Sequence, residues 1–144
     1  MIINIRHTGI VVNDLEKMAN FYRKLGFKDE SRLVEKGSFI EQVVNIPLVK
    51  IEWIKLRSPD GFLIELIQYL SHPKELSKEK SKSNDLGCSH VAYTVSDSEK
   101  VCALISSAGG SVENPPAISP NGKVKVAYCH DPEGVLMEIV ELIN

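Results

Sequence analysis

The spacing of hydrophobic and polar positions changes several times along the chain, and each change marks an element. Residues 4–13, NIRHTGIVVN, form a short, β-branched, roughly alternating run that predicts a strand. From Asp14 the period lengthens. Leu15, Met18, Phe21, Tyr22 and Leu25 fall at helical spacing, Asp14 is placed as the N-cap, and Gly26 stands just past the end, where a left-handed residue belongs. Residues 28–36 predict a strand, VKIEWIKLR at 49–57 alternates, Ser58-Pro59-Asp60-Gly61 is a turn, and FLIELIQY is a further strand. The first half therefore reads β-α-β-β-β, with the region around Glu41-Gln42 unassigned.

The stretch from residue 70 to 87, LSHPKELSKEKSKSNDLG, is rich in Lys, Ser and Glu and poor in apolar residues, which predicts a solvated connector with at most one short helical turn. Beyond it the pattern restarts. CSHVAYTVSD at 88–97 reads as a strand, SEKVCALISSAGG as a helix stopped by Gly109-Gly110, VKVAYCHDPEG as a strand and turn, and VLMEIVELI as a closing strand. A strand near 111–119 is weakened by Pro115 and Pro116. The second half is again β-α-β-β-β.

The halves also agree at individual residues. His7-x-x-x-Val11 and His90-x-x-x-Thr94 open equivalent strands, and Asn13-Asp14-Leu15-Glu16-Lys17 parallels Ser96-Asp97-Ser98-Glu99-Lys100 at the same offset of 83 residues. Pro59-Asp60-Gly61-Phe62-Leu63-Ile64-Glu65 matches Pro132-Glu133-Gly134-Val135-Leu136-Met137-Glu138 at an offset of 73, so the first half holds ten more residues between its His and its Glu. Two long copies predict a pseudo-symmetric pair of modules rather than a solenoid. We expect one domain over 1–144, with module 1 at about 1–70, a linker at 71–87 and module 2 at about 88–144.

Composition narrows the function classes. A chain of 144 residues can bury one core without staples. A net charge of −2 gives no field to attract nucleic acid or an anionic membrane, and neither is expected as a partner. No apolar run reaches the length of a membrane span, and MIINIRHTGIVV lacks the layout of a signal peptide. Cys88, Cys102 and Cys129 are odd in number and show no CxxC spacing, which predicts reduced thiols in a cytoplasmic protein.

The repeat places one His on the first strand and one Glu on the last strand of each module. A lone strand histidine is ordinarily a hydrogen-bonded structural residue, and a glutamate on an edge strand facing water needs no explanation. In LIELI and LMEIV, however, each Glu is flanked by apolar residues, and carboxylates are rarely buried without a partner. Two modules around a pseudo-twofold axis would bring His7, Glu65, His90 and Glu138 to one point. Two imidazoles and two carboxylates suit a divalent ion such as Zn, Ni, Co, Mn or Fe and leave room for substrate oxygens.

HTGIVVNDLEKMANFYRKLGF, PDGFLIELIQY, CSHVAYTVSD and DPEGVLMEIVEL together resemble the vicinal oxygen chelate superfamily, which includes glyoxalase I, methylmalonyl-CoA epimerase, extradiol dioxygenases and the fosfomycin and bleomycin resistance proteins. The resemblance covers nearly the whole chain outside the linker. It implies an α+β fold of two tandem βαβββ modules forming a cup-shaped mixed sheet around one metal ion. It carries the ligand positions onto His7, Glu65, His90 and Glu138. A Glu at position 65 is similar to glyoxalase I, whereas the epimerases tend to have Gln there. Dioxygenases use only three protein ligands, and the bleomycin-binding proteins lack the set.

The resemblance further implies proton transfer beside a carbonyl, with Glu138 first, and Glu65 second, as the base that leaves the metal. The expected activity is a glyoxalase I-type lyase or isomerase acting on a small 2-oxoaldehyde–thiol adduct. The alternatives are an acyl-CoA epimerase and a small-molecule-binding protein without turnover. A homodimer is the expected assembly.

Other residues read more plainly. Cys88 lies two positions before His90 but is expected to be a buried structural thiol. His130 is expected to be an exposed loop residue, and His72 a solvated one. Arg57, Lys123 and Lys125 are expected to be surface cations, and Trp53 and Tyr69 either line a pocket or pack in the core.

Overall fold

The computed structural model describes residues 1–143, which divide into two compact units, Met1–Leu76 and the residues from Ser77 onward. In the first unit the chain runs β1 (Thr8–Val11), α1 (Leu15–Lys24), β2 (Lys28–Lys36), α2 (Ser38–Val44), β3 (Lys50–Arg57) and β4 (Leu63–Tyr69). Its sheet has the order β1-β4-β3-β2, with β1 parallel to β4 and the other pairs antiparallel.

Helix α1 forms where the pattern predicts it. The Asp14 side chain accepts a hydrogen bond from the Lys17 amide at 3.0 Å, Glu16 lies at the positive end, and Arg23 and Lys24 lie at the negative end. Gly26 takes a φ of +99° as the chain turns out of the helix. The apolar stripe Leu15, Met18, Ala19, Phe21 and Tyr22 is buried. It packs on β3 and β4, whose Ile54, Leu56, Ile64 and Leu66 are completely covered. Gln68 belongs to the same sheet face and accepts from the Leu15 amide. Strand alternation then turns Ile51, Trp53, Lys55, Glu65, Ile67 and Tyr69 to the face away from α1.

The helix α2 was not anticipated and occupies the unassigned region. It buries Ile40 with Val49 and Ile51, and Trp53, Ile67 and Tyr69 pack around them. Asn45 ends it in the left-handed conformation at φ 55°. The extra residues of the first half are thus a helical insert between β2 and β3.

The second unit runs β5 (Val91–Val95), α3 (Ser98–Ser107), β6 (Ser111–Val112), β7 (Ala117–Ile118), β8 (Val124–His130) and β9 (Leu136–Leu142). Its sheet has the order β5-β9-β8-β6, with β7 also on β8, and β5 runs parallel to β9. Asp97 caps α3 through the Lys100 amide, as Asp14 caps α1. The proline pair divides the weak strand into β6 and β7, because proline cannot donate to a ladder. Helix α3 lies over Ala127, Cys129, Met137 and Ile139, which leaves Tyr128 and Glu138 on the opposite face.

The α+β class and the glyoxalase-like arrangement therefore hold, with α2 added and one strand split. The segment after Ser77 is tied down rather than solvated throughout. The Ser81 amide donates to the Gly134 carbonyl, and Lys80 Nζ donates to Ser111 Oγ at 2.7 Å. Among the described residues no helix is long and apolar enough to cross a membrane.

Candidate functional site

In the first unit His7 lies immediately before β1, whose Gly9 stands opposite Glu65 on the parallel neighbour β4. His7 Nε2 comes within 2.9 Å of Glu65 Oε2. The Glu65 side chain is only 13% exposed and stands between the fully buried Ile64 and Leu66. His7 Nδ1 is also buried and has no hydrogen-bond partner among the described residues, so Nε2 is the nitrogen available to a ligand. Across the other ladder, Lys55 of β3 is the register partner of Glu65 and holds its ammonium 3.8 Å from Oε1.

The second unit repeats the pair. His90 lies immediately before β5, Ala92 stands opposite Glu138 on β9, and His90 Nε2 is 3.2 Å from Glu138 Oε2. Here the rear nitrogen is engaged, because Ser89 Oγ lies 2.7 Å from His90 Nδ1. A hydroxyl can donate to Nδ1 when Nε2 carries the proton, or accept from Nδ1 when Nε2 offers its lone pair. The Tyr128 ring, opposite Glu138 in the β8–β9 register, meets the His90 ring edge to face at 5.3 Å.

These pairs fit a divalent ion. Two donors bound side by side at about 2.1 Å from one first-row ion stand about 3.0 Å apart. The observed separations of 2.9 and 3.2 Å straddle that spacing. The donors are imidazole nitrogen and carboxylate oxygen, the mixture that Zn, Ni, Co, Mn and Fe accept. In each unit Nε2 and the carboxylate oxygen also lie within ion-pairing distance of each other.

Other sequence candidates take different places. Cys88, expected to be buried, is exposed instead, because it lies at the end of the connector before β5, with Sγ 3.9 Å from the His90 carbonyl oxygen. His130 is the clearest correction. It is the last residue of β8 and 3% exposed, with Nε2 2.6 Å from the Ser81 carbonyl and Nδ1 3.0 Å from a Glu113 oxygen. The linker carbonyl that covers it is remote in sequence, so the local pattern gave no sign of its burial. Arg57 is held by Glu30 and by the Gly61 carbonyl, and Lys125 by Glu99 and Glu141. Asp97, Glu99 and Glu141 come close together in this second group. Lys125 already supplies their counter-charge, and Glu141 accepts from the Ser98 amide and hydroxyl, which hold its carboxyl below the usual range. The sequence reading passed over Lys55 and Tyr128. Both lie one strand from a Glu at the 73-residue offset, and extending the PDG/PEG alignment backwards through the turn would have paired them.

Comparison with known proteins agrees with this architecture. The family model for the Glyoxalase/Bleomycin resistance protein/Dioxygenase superfamily matches residues 4–139. A probable lactoylglutathione lyase of Vibrio cholerae serotype O1 is 27% identical over 138 residues, covering 95% of this chain and 89% of that protein. A glyoxalase family protein from Bacillus cereus superposes with a TM-score of 0.91 at 22% identity, covering 100% of this chain and 97% of the other. A glyoxalase I variant from Zea mays superposes with a TM-score of 0.65 at 20% identity, over 94% of this chain and 43% of that one. At these identities the two superpositions speak for the fold, while the family model spans nearly the whole sequence. The chain belongs to the Glyoxalase/Bleomycin resistance protein/Dioxygenase superfamily.

Proposed function

We propose that the protein is a metal-dependent lyase or isomerase of the glyoxalase I type, which moves a proton between neighbouring carbons of a small 2-oxoaldehyde–thiol adduct through an enediolate. The observation that carries this reading is the doubled pair: an imidazole Nε2 facing a carboxylate oxygen at 2.9 Å in one unit and 3.2 Å in the other. His7, Glu65, His90 and Glu138 are the proposed ligands of one divalent ion, Zn, Ni, Co, Mn or Fe. When bound, such an ion polarises a carbonyl and lowers the cost of negative charge beside it. The name of the Vibrio cholerae relative supports the lyase assignment. The free thiols of Cys88, Cys102 and Cys129 support a cytoplasmic setting.

The two carboxylates have different surroundings, and this supports different roles. Glu65 has the Lys55 ammonium 3.8 Å from its second oxygen. Glu138 meets only His90 among the ion-pair partners of the described residues, so it is the freer of the two. We assign Glu138 to take the proton from the carbon next to the carbonyl and return it to the neighbouring carbon, with Glu65 in reserve.

Metal content tests the reading directly. Protein purified without chelators should hold about one divalent ion per chain, and Glu65→Gln and His90→Ala should lose it. The hemithioacetal of glutathione with a 2-oxoaldehyde should then be turned over, while racemisation of a 2-methyl acyl-CoA would move the assignment to an epimerase. A wild-type protein that takes up none of Zn, Ni, Co, Mn or Fe overturns it.

A further inference from the structure

The two units keep the same His–Glu pair but differ in the residue standing across the ladder from each glutamate. Lys55 faces Glu65 on one side, and Tyr128 faces Glu138 on the other. If this position served only the His–Glu pair, the second unit would need a cation as well. The difference therefore points to something that is not repeated, and the unrepeated component of such a reaction is the substrate.

Lys55 is also a cation held ready for use. Its ammonium sits 4.5 Å from the centroid of the Trp53 ring. That ring is fixed in turn, since Trp53 Nε1 donates to Glu35 Oε2 at 2.7 Å and the side chain packs beside Ile51. The Lys55 side chain is 23% exposed. Its only ion-pair contact among the described residues is the Glu65 oxygen at 3.8 Å, beyond hydrogen-bond length, so its donors are unspent. Arg57, the next cation on the same face of β3, is already committed to Glu30 and the Gly61 carbonyl. An ammonium with free donors in a half-covered, partly apolar setting attracts an anionic oxygen strongly.

We propose that Lys55 is a catalytic residue that binds the negatively charged oxygen of the enediolate. This rests on the proton-transfer reading above. When a base removes the proton from the carbon next to the carbonyl, the bonding pair moves into a new C–C double bond and the carbonyl oxygen takes the negative charge. Reprotonation at the former carbonyl carbon, with the hydroxyl proton of the neighbouring carbon passing to the charged oxygen as the new carbonyl forms, reverses that charge with no net oxidation or reduction. Lys55 would donate to this oxygen only while it is charged, which is the condition for speeding the step rather than merely holding substrate.

The test uses the metal-loaded protein and two planar probes with the same two-carbon frame: the dianion oxalate, which mimics the charge of an enediolate, and the neutral oxamide. Binding is followed by calorimetry for wild type, Lys55→Met, Lys55→Gln and Lys55→Arg, and metal affinity is measured separately by competition with a chromophoric chelator. We expect both neutral variants to hold metal at least as tightly as wild type. They should lose oxalate affinity on the order of 10- to 100-fold, the size of one charge-assisted hydrogen bond, and leave oxamide unchanged. Lys55→Arg should restore most of the oxalate affinity. Unchanged oxalate binding, or an equal loss of oxalate and oxamide, overturns the assignment while the metal reading stands. Loss of metal in the neutral variants also overturns it, because Lys55 would then be a positioning residue for Glu65. A wild-type protein that binds no metal fails at the earlier step and removes both readings together.

Discussion

Ser89 gives the most direct quantitative test of the second His–Glu pair. Its Oγ is 2.7 Å from His90 Nδ1, the nitrogen facing away from Glu138. If Nε2 is to present its lone pair to an ion, Nδ1 must carry the proton, and Ser89 Oγ is placed to accept it. Removing the hydroxyl by Ser89→Ala leaves the ring free to rotate and to adopt the wrong tautomer. A single hydrogen bond of this kind contributes about 0.5–1.5 kcal/mol net. Losing a group that orients a metal-bound imidazole costs about 10- to 100-fold in metal affinity. The two ranges meet near a tenfold loss, or about 1.4 kcal/mol. The affinity would be read by competition for Zn against a chromophoric chelator at neutral pH. Thermal unfolding of the metal-free protein would show that the fold is unaffected. Equal Zn affinity in wild type and Ser89→Ala would refute the argument, since the hydroxyl would then play no part in presenting Nε2.

Three further predictions concern the second unit. At Gly110 an added Cβ would lie 2.4 Å from the His130 carbonyl oxygen and 2.7 Å from Ile105 Cγ2, so Gly110→Ala should destabilise the protein by about 1–3 kcal/mol in urea unfolding. Cys88 should react with a disulfide reagent in the native protein, whereas the buried Cys102 and Cys129, whose sulfurs are 3.7 Å apart, should react only after denaturation. Burial, with Cys102 beside it, pushes the Cys129 thiol up to about 12 from an ordinary value of 9.0. A value raised by folding contributes stability that is complete below 9.0 and fades as the pH climbs towards 12. The unfolding midpoint should therefore fall through that alkaline window, and Cys129→Ala should flatten the fall.

What the sequence revealed depended on how local each signal was. The α1 stripe, the alternation of β3 and β4, and the Asp14 and Asp97 caps are set by residues within a turn or two of one another, so their periods survive in the chain. Helix α2 escaped because it spans only seven residues and buries one side chain fully, Ile40; its stability comes from Val49 and Ile51, on and beside β3, rather than from its own pattern. His130 escaped for the same reason in reverse. An HDP sequence reads as the entrance to a turn, whereas the Ser81 carbonyl, 49 residues away, closes over the ring. The pairing of each histidine with the glutamate of its own half was legible because the chain states it twice at fixed offsets from recognisable turns.

That doubling also limits what the sequence can disclose. A repeat exposes what both copies need, which here is an imidazole before the first strand and a carboxylate on the last. It hides whatever only one copy needs, because a residue without a counterpart looks like drift. Lys55 against Tyr128, and a His7 Nδ1 with no hydrogen-bond partner among the described residues against the Ser89–His90 contact, are differences of that kind, and they become visible once the structure aligns the units position by position. Two copies of the same His–Glu pair do not by themselves distinguish one half of the chain from the other. In the reaction proposed above, one carboxylate would take and return the proton while the other would not, so the two halves would have to differ. The residues that break the repeat beside the His–Glu pair are therefore where specificity for the proposed reaction should be sought, beginning with Lys55, whose ammonium stands 3.8 Å from Glu65.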